Sequence, residues 1–468
     1  MNGSGMAIMK WTTVVVAAAL MGGCGPGTPS NPGGTETTGN AVGTGANTAP
    51  TGITYEQTYA LYGTGTAIAD NIATTTGGTA SSYGISPALP AGLTLDSANG
   101  RIGGTPNATS PTTTYTVVAG NALGSTQTKI TITVVNPGTW TTVAAPASPH
   151  FGGTATLLDD GTVLVAGGLT SANSNTAPVA IAETYNPKTN TWTTVGAMNS
   201  PRLAHTATLL TDGTVLVIGG YATPSSNTTA LGSAEIYNPS TRQWHVIATL
   251  NQARAFHTAT RLPDGSVLAA GGTSGAPIFG MTSTERYVPS SGTWTTAGSM
   301  LAAELGHTAT LLSNGQVLVA GLMGERYTPA TDSWTSTGAM NVPRSLHKAA
   351  LQQNGNVLIA GGLDGNGNNI SSTEIYDVTS DTWTATGALS ATRIYHGMAT
   401  LLDGSVLVAG GEVGSTSTAS TSAERYTPGT GTWANTGSLA LSQENAEMLR
   451  LPSGQVLSIG SDAEVYVP

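Results

Sequence analysis

The chain has 468 residues, enough for about two to four domains, and only 9% of them are charged, against roughly 25% in ordinary soluble domains. A net charge of -10, with no cluster of lysine or arginine to neutralise consecutive phosphates, excludes nucleic acid as a partner. A single cysteine, Cys24, excludes intramolecular disulfides and thiolate metal sites, and the abundance of glycine, threonine and serine favours strands and turns over helices.

In chain order, the stretch KWTTVVVAAALMGGC comes first: Lys10, an apolar run from Trp11 to Met21, then two glycines before Cys24. The run falls short of the roughly 20 residues needed to span a bilayer and has the length of a signal-peptide core. It resembles the bacterial lipoprotein signal, with Met21 where that motif usually has Leu, Val or Ala. The resemblance implies a signal peptide over 1–23, lipidation of Cys24 and anchorage at a bacterial cell envelope; Gly25 resembles the outer-membrane sorting pattern of a Gram-negative host. A plain secretory leader is the alternative. Residues 24–50, almost devoid of large side chains, read as a flexible tether with a reach on the order of 30 Å.

Residues 51–135 change character. YTVVAG and KITITVV alternate β-branched residues, and Gly/Pro/Asn clusters separate short segments, which predicts a β-sandwich. LPAGLTLDSANGRIGGTP, Leu89 to Pro106, resembles the signature of bacterial Ig-like, cadherin-like modules. Some relatives of that fold bind calcium between domains; the few acidic residues here (Glu56, Asp70, Asp96) favour a spacer.

The remainder is periodic. Trp140, Trp192, Trp244, Trp294, Trp334, Trp383 and Trp433 lie 49 to 52 residues apart, with one spacing of 40, and a period of this size points to propeller blades. In each unit, as in HTATLLTDGTVLVIGG, two β runs flank an Asx-Gly or Ser-Gly pair, predicted as a two-residue hairpin. A third strand carries Glu-x-Tyr and a fourth the tryptophan. The first tryptophan strand precedes the first hairpin, and the last Glu-x-Tyr strand ends the chain. The expected fold is therefore all-β: an Ig-like sandwich, then a closed seven-bladed propeller over 136–468 in which 139–144 complete the blade of 444–468. The double glycines, Glu-x-Tyr steps and spaced tryptophans resemble kelch repeats; Gly321-Leu322 and Gly460-Ser461 depart by losing the second glycine.

Aligned on the hairpins, one position reads Gly153, His205, His257, His307, His347, His396 and Ala446. Residues one blade apart cannot converge on one ion, so these histidines are expected to be interblade hydrogen-bonding groups and no metal site is assigned. Three residues earlier stand His150, Arg202, Arg254, Glu304, Arg344, Arg393 and Gln443, expected to ring the channel mouth. There the arginines either bind carboxylates or a polar glycan, or brace loops. The loop DGNGNN, Asp364 to Asn369, resembles the start of a calcium loop but has Ile375 at the twelfth position.

Long loops at 169–181, 221–233, 273–283, 363–372 and 412–422 share one face, where function usually resides. The leading expectation is a non-catalytic interaction protein of the cell envelope that presents this face to a glycan or protein ligand. The alternative is a carbohydrate-active hydrolase or lyase using mouth residues such as His150 with Glu304. Kelch propellers also resemble the central domain of galactose oxidase-type copper-radical enzymes, which implies a cysteine cross-linked to tyrosine; no cysteine follows Cys24, so that chemistry is excluded.

Overall fold

A computed structural model describes residues 48–171, 176–223, 229–275, 279–414 and 418–468. The leader, Cys24 and nearly all of the tether lie outside the described residues. The chain divides into two compact units, one ending at Pro137 and the other beginning at Gly138.

The N-terminal unit centres on a four-stranded sheet in which Tyr59–Gly63 runs parallel to Gly124–Val135, which pairs with Ser110–Asn121 and through it with Ser82–Ser86. Alternation decides which face is inside: Tyr115, Val117 and Ala119, with Ile130, Ile132 and Val134 on the paired strand, are buried, whereas Thr116, Val118 and Thr131 between them are not. Ile53, Tyr55 and Ile102 complete this core, and the Tyr55 hydroxyl donates to the Gly100 carbonyl at 2.6 Å.

The second unit is seven four-stranded antiparallel sheets. In blade 1 the order is Thr154–Leu157, Val163–Ala166, Ala182–Asn186 and Thr191–Thr194, and the inner strands of blades 2 to 7 are Thr206–Leu209, Thr258–Arg261, Thr308–Leu311, Lys348–Leu351, Gly397–Thr400 and Glu447–Arg450. Second strands such as Val163–Ala166 and Val215–Ile218 are buried at all four positions because blades stack on both of their faces. In blade 7, Ala463–Val467 pairs with Thr139–Thr142, so strands from opposite ends of the unit share a sheet and place Tyr466 opposite Trp140. Every blade has such a Tyr–Trp pair, with ring centroids 5.0 to 5.2 Å apart.

The hairpins differ from the two-residue turns expected. In blade 2 the last paired residues are Leu209 and Val215, the Leu210 amide bonds the Thr214 carbonyl, and Gly213 takes φ +80°. This is a three-residue loop with glycine in the left-handed position. Asp212 favours it because its Oδ1 accepts both the Thr214 amide (3.0 Å) and the Thr214 hydroxyl (2.7 Å).

Candidate functional site

The connection that enters each blade runs across the end of the blade, and a carboxylate holds it there. In blade 2, Glu235 on the third strand accepts the Asn199 amide (2.6 Å), the Asn199 side chain (2.8 Å) and the Ser200 amide (3.0 Å). Arg202 then folds back over the strand ends: Nη1 donates to the carbonyls of Gly219 (2.8 Å) and Ser233 (3.1 Å), and Nη2 to Ser233 Oγ (3.0 Å) and Glu235 (2.8 Å). Arg254–Glu285, Arg344–Glu374 and Arg393–Glu424 repeat this at 2.9, 2.6 and 3.1 Å. All four arginines are completely buried. Burial opposes the Glu235 charge, but the bonds from Arg202 and Asn199 outweigh it and hold the carboxyl below its ordinary value.

The other blades substitute within this frame. His150 bridges the Gly167 carbonyl (2.8 Å) and Glu183 (3.2 Å) in blade 1, and Gln443 reaches Glu464 (3.3 Å) in blade 7. Blade 4 reverses the charge. Glu304, buried, accepts the amides of Leu322 and Met323 at 3.0 Å each, with Glu325 nearby. Burial, offset in part by those two amides and reinforced by Glu325, pushes its carboxyl up to about 7.

The histidines join blades. His Nε2 lies 3.1, 2.9, 3.0 and 2.9 Å from a threonine hydroxyl of the preceding blade in Thr154–His205, Thr206–His257, Thr258–His307 and Thr308–His347. The series breaks at His396, because Lys348 replaces the threonine; His396 is fully buried and neither ring nitrogen has a partner. Glu447 occupies the threonine register in blade 7; burial raises its carboxyl to about 7 against the pull of Lys348.

Just before this position, Gly152, Ala204, Phe256, Gly306, Leu346, Tyr395 and Asn445 all adopt left-handed φ between +53° and +66°. Bonds from the Phe256 amide to the Ala204 carbonyl, from Leu346 to Gly306 and from Asn445 to Tyr395 tie neighbouring blades together. Phe256, Leu346 and Tyr395 are buried there, forming an apolar collar at the start of the inner strands. Non-glycine residues in this conformation cost about 1–3 kcal/mol each.

The expectation of a polar channel mouth is therefore corrected. His150, Arg202, Arg254, Glu304, Arg344 and Arg393 are at most 3% exposed, and each is bonded within its own blade, so no shared solvent-facing ring forms. His150 and Glu304 belong to blades 1 and 4 and have separate partners, so the acid–base pair considered from sequence is not assembled. The Asp364 carboxylate accepts the Asn366 and Asn368 amides (2.9 and 2.8 Å) and the Asn368 side chain (3.1 Å), bonds that close the loop on itself. Among the described residues no group of three or more His, Cys, Asp or Glu is placed to hold a metal ion. Sequence reasoning missed the collar, whose residues share a conformation but no residue type. It also missed the Leu322–Met323 step, although the lost second glycine marked it.

Among the described residues, solvent on this side is met by the entering connections, as at Leu301, and by the loops. Their lengths differ by blade, from two or three residues in blades 4 and 7 to about a dozen elsewhere.

Comparison with known proteins agrees with this architecture. The family model for the Kelch motif matches residues 150–199, 202–251 and 344–387, and the one described as "Putative Ig domain" matches 66–135. The chain is similar to Kelch-like ECH-associated protein 1A of Danio rerio, 34% identical over 128 residues, which is 27% of this chain and 19% of that protein. It is also similar to Kelch-like protein 23 of Pongo abelii, 29% identical over 118 residues, 25% of this chain and 19% of that protein. The chain thus spans 19% of the length of each of these relatives. A solved fungal alcohol oxidase of the AA5 family, in complex with copper, superposes with a TM-score of 0.60 over 71% of this chain and 77% of that one. At 17% identity this likeness is one of fold alone. The chain carries kelch motifs on a propeller, preceded by an Ig domain.

Proposed function

We propose that this chain is a non-catalytic interaction protein of a bacterial cell envelope, anchored by lipid at Cys24, extended by the 24–50 tether and the Ig-like spacer, and presenting the long-loop face of its propeller to a protein ligand. One observation carries the reading: the recurring arginine, glutamate and histidine side chains are consumed by bonds inside and between blades, which leaves variable loops as the part free to recognise anything. Similarity to Kelch-like ECH-associated protein 1A, named as the associate of another protein, favours a protein over a glycan. The sequence of Cys24 and its leader supports the anchor.

Metabolic labelling with a palmitate analogue in a bacterial host tests the anchored half of this reading. Label in the membrane fraction that disappears in Cys24→Ala is the expected result; label retained by the variant, or an unlabelled protein free in the medium, contradicts it.

A further inference from the structure

Four large apolar side chains of the propeller gather on the long-loop face where blades 3 and 4 meet: Phe279 is 70% exposed, Leu301 55%, Leu322 52% and Met323 43%. Their segments converge on Glu304. Its amide bonds the Met281 carbonyl, its carboxylate holds Leu322 and Met323, and Leu301 is tied to the neighbouring Glu325 at 2.7 Å. The short loop of blade 4 makes this a notch between the longer loops of blades 3 and 5.

The notch is specific to blade 4. In five blades the second glycine of the pair has positive φ and donates its amide to a carbonyl of the next blade, as Gly220 does to Arg254. A Cβ on Gly220 would lie 2.6 Å from the Leu203 carbonyl, so only glycine fits. Leu322 replaces that glycine, and its amide turns back to Glu304 in its own blade, which leaves the side chain outside. Blade 7 also has a short loop but places Ser461 and Asp462 there, with Leu441 on its entering connection as a lone exposed apolar side chain among the described residues. An apolar cluster outward at one of two equivalent notches is not a demand of the fold.

Charge identifies the occupant. The four arginines on this side are buried in their clamps, and the accessible charges of the loops are carboxylates: Asp364, Glu444 and Asp462. Arg286, Arg326 and Arg425 lie toward the opposite turns and are paired there with Asp264, Asp381 and Asp403. Lys348, on an inner strand, is the remaining cation of this side among the described residues. Asp364 stands beside the notch: its strand pairs with Arg344, whose amide bonds the Gly321 carbonyl at 2.9 Å. Its loop amides hold its carboxyl below the ordinary value, so it is ionised at neutral pH.

We infer that the blade 3–4 notch is the docking site for a protein segment that presents an apolar side chain beside lysine or arginine, the apolar group packing on Leu322, Met323, Leu301 and Phe279 and the cation reaching Asp364. The inference rests on the interaction reading above and names its partner chemistry. Apolar anchors supply most of the affinity at such surfaces, whereas the exposed charge contributes modestly and is screened by salt.

The test is binding of the full chain to an array of short synthetic peptides carrying leucine, phenylalanine or tryptophan beside lysine or arginine, with glutamate-substituted and apolar-free counterparts, and in parallel to a glycan array. Peptides with both features should bind. Binding should weaken about tenfold in Leu322→Asp/Met323→Asp and about threefold in Asp364→Asn, and stay unchanged in Leu402→Asp, which alters an exposed leucine of the opposite face. Melting curves control for folding, with Leu322→Ser and Phe279→Ser as milder substitutes. Preference for acidic peptides, or binding lost in Leu402→Asp and kept in the notch variants, overturns the inference and leaves the interaction reading standing. Glycan binding without peptide binding overturns the inference and, with it, the choice of a protein as the ligand. Silence on both arrays removes both.

Discussion

His205 and Glu304 illustrate how two registers of a repeat, three residues apart, can set opposing pH responses. Burial, with the Arg202 charge next, pushes His205 down to about 3; burial likewise lowers His307 to about 3 and takes His257, His347 and His396 well below 6.5. The folded chain keeps these rings neutral while the unfolded chain protonates them below about 6.5, so their contribution is lost as pH falls from there. Glu304 and Glu447, raised to about 7, work the other way: their contribution is full below about 4.5 and lost as pH rises through 7. Five histidines outweigh two glutamates in the shared window. Urea midpoints should therefore rise from pH 4.5 to 6.5 and dip slightly toward pH 8, with Glu304→Gln reducing the dip; a flat or falling midpoint between 4.5 and 6.5 contradicts this balance. The residue types were legible in sequence; their exposure was not. Four periodic arginines in a chain with few charges look like a binding ring, yet Glu-x-Tyr recurs in step with them, Arg202 with Glu235 and Arg344 with Glu374, and that joint period was the available sign of internal pairing.

At the scale of elements the repeat grammar translated almost directly into strands, because alternation, turn residues and tryptophan spacing each demand the same four-stranded unit. The hairpins gained one loop residue over expectation because the Asx side chain bonds the amide two residues on. The collar could not be read: left-handed backbone at Ala204, Phe256 and Tyr395 is imposed by interblade hydrogen bonds, not by residue preference. The strand Thr139–Thr142 carries the strongest consequence. Without residues 139–144, Ala463–Val467 becomes an open edge, Tyr466 loses Trp140, and the Trp192 indole loses its bond to Ala144. Deleting residues 139–144 should destabilise the propeller by more than the about 3–5 kcal/mol expected for loss of one tryptophan. An unchanged melting temperature would mean that blade 7 closes without this strand.

At the scale of the molecule the two ends of the propeller differ. One bears regular turns with paired charges such as Arg326–Asp381; the other bears loops of unequal length, carboxylates and the blade 3–4 apolar notch, with its arginines withdrawn into the blades. Recognition is thereby separated from the repeating polar residues, which makes the arginines a matter of stability. Removing one partner of a buried ion pair leaves the other charge uncompensated and costs about 3–5 kcal/mol. The most direct measurement is the unfolding free energy of Arg202→Ala beside that of Leu322→Asp/Met323→Asp. The arginine variant should lose about 3–5 kcal/mol and the notch variant should change little. An arginine variant as stable as the parent would contradict this and return Arg202 to the status of a binding residue.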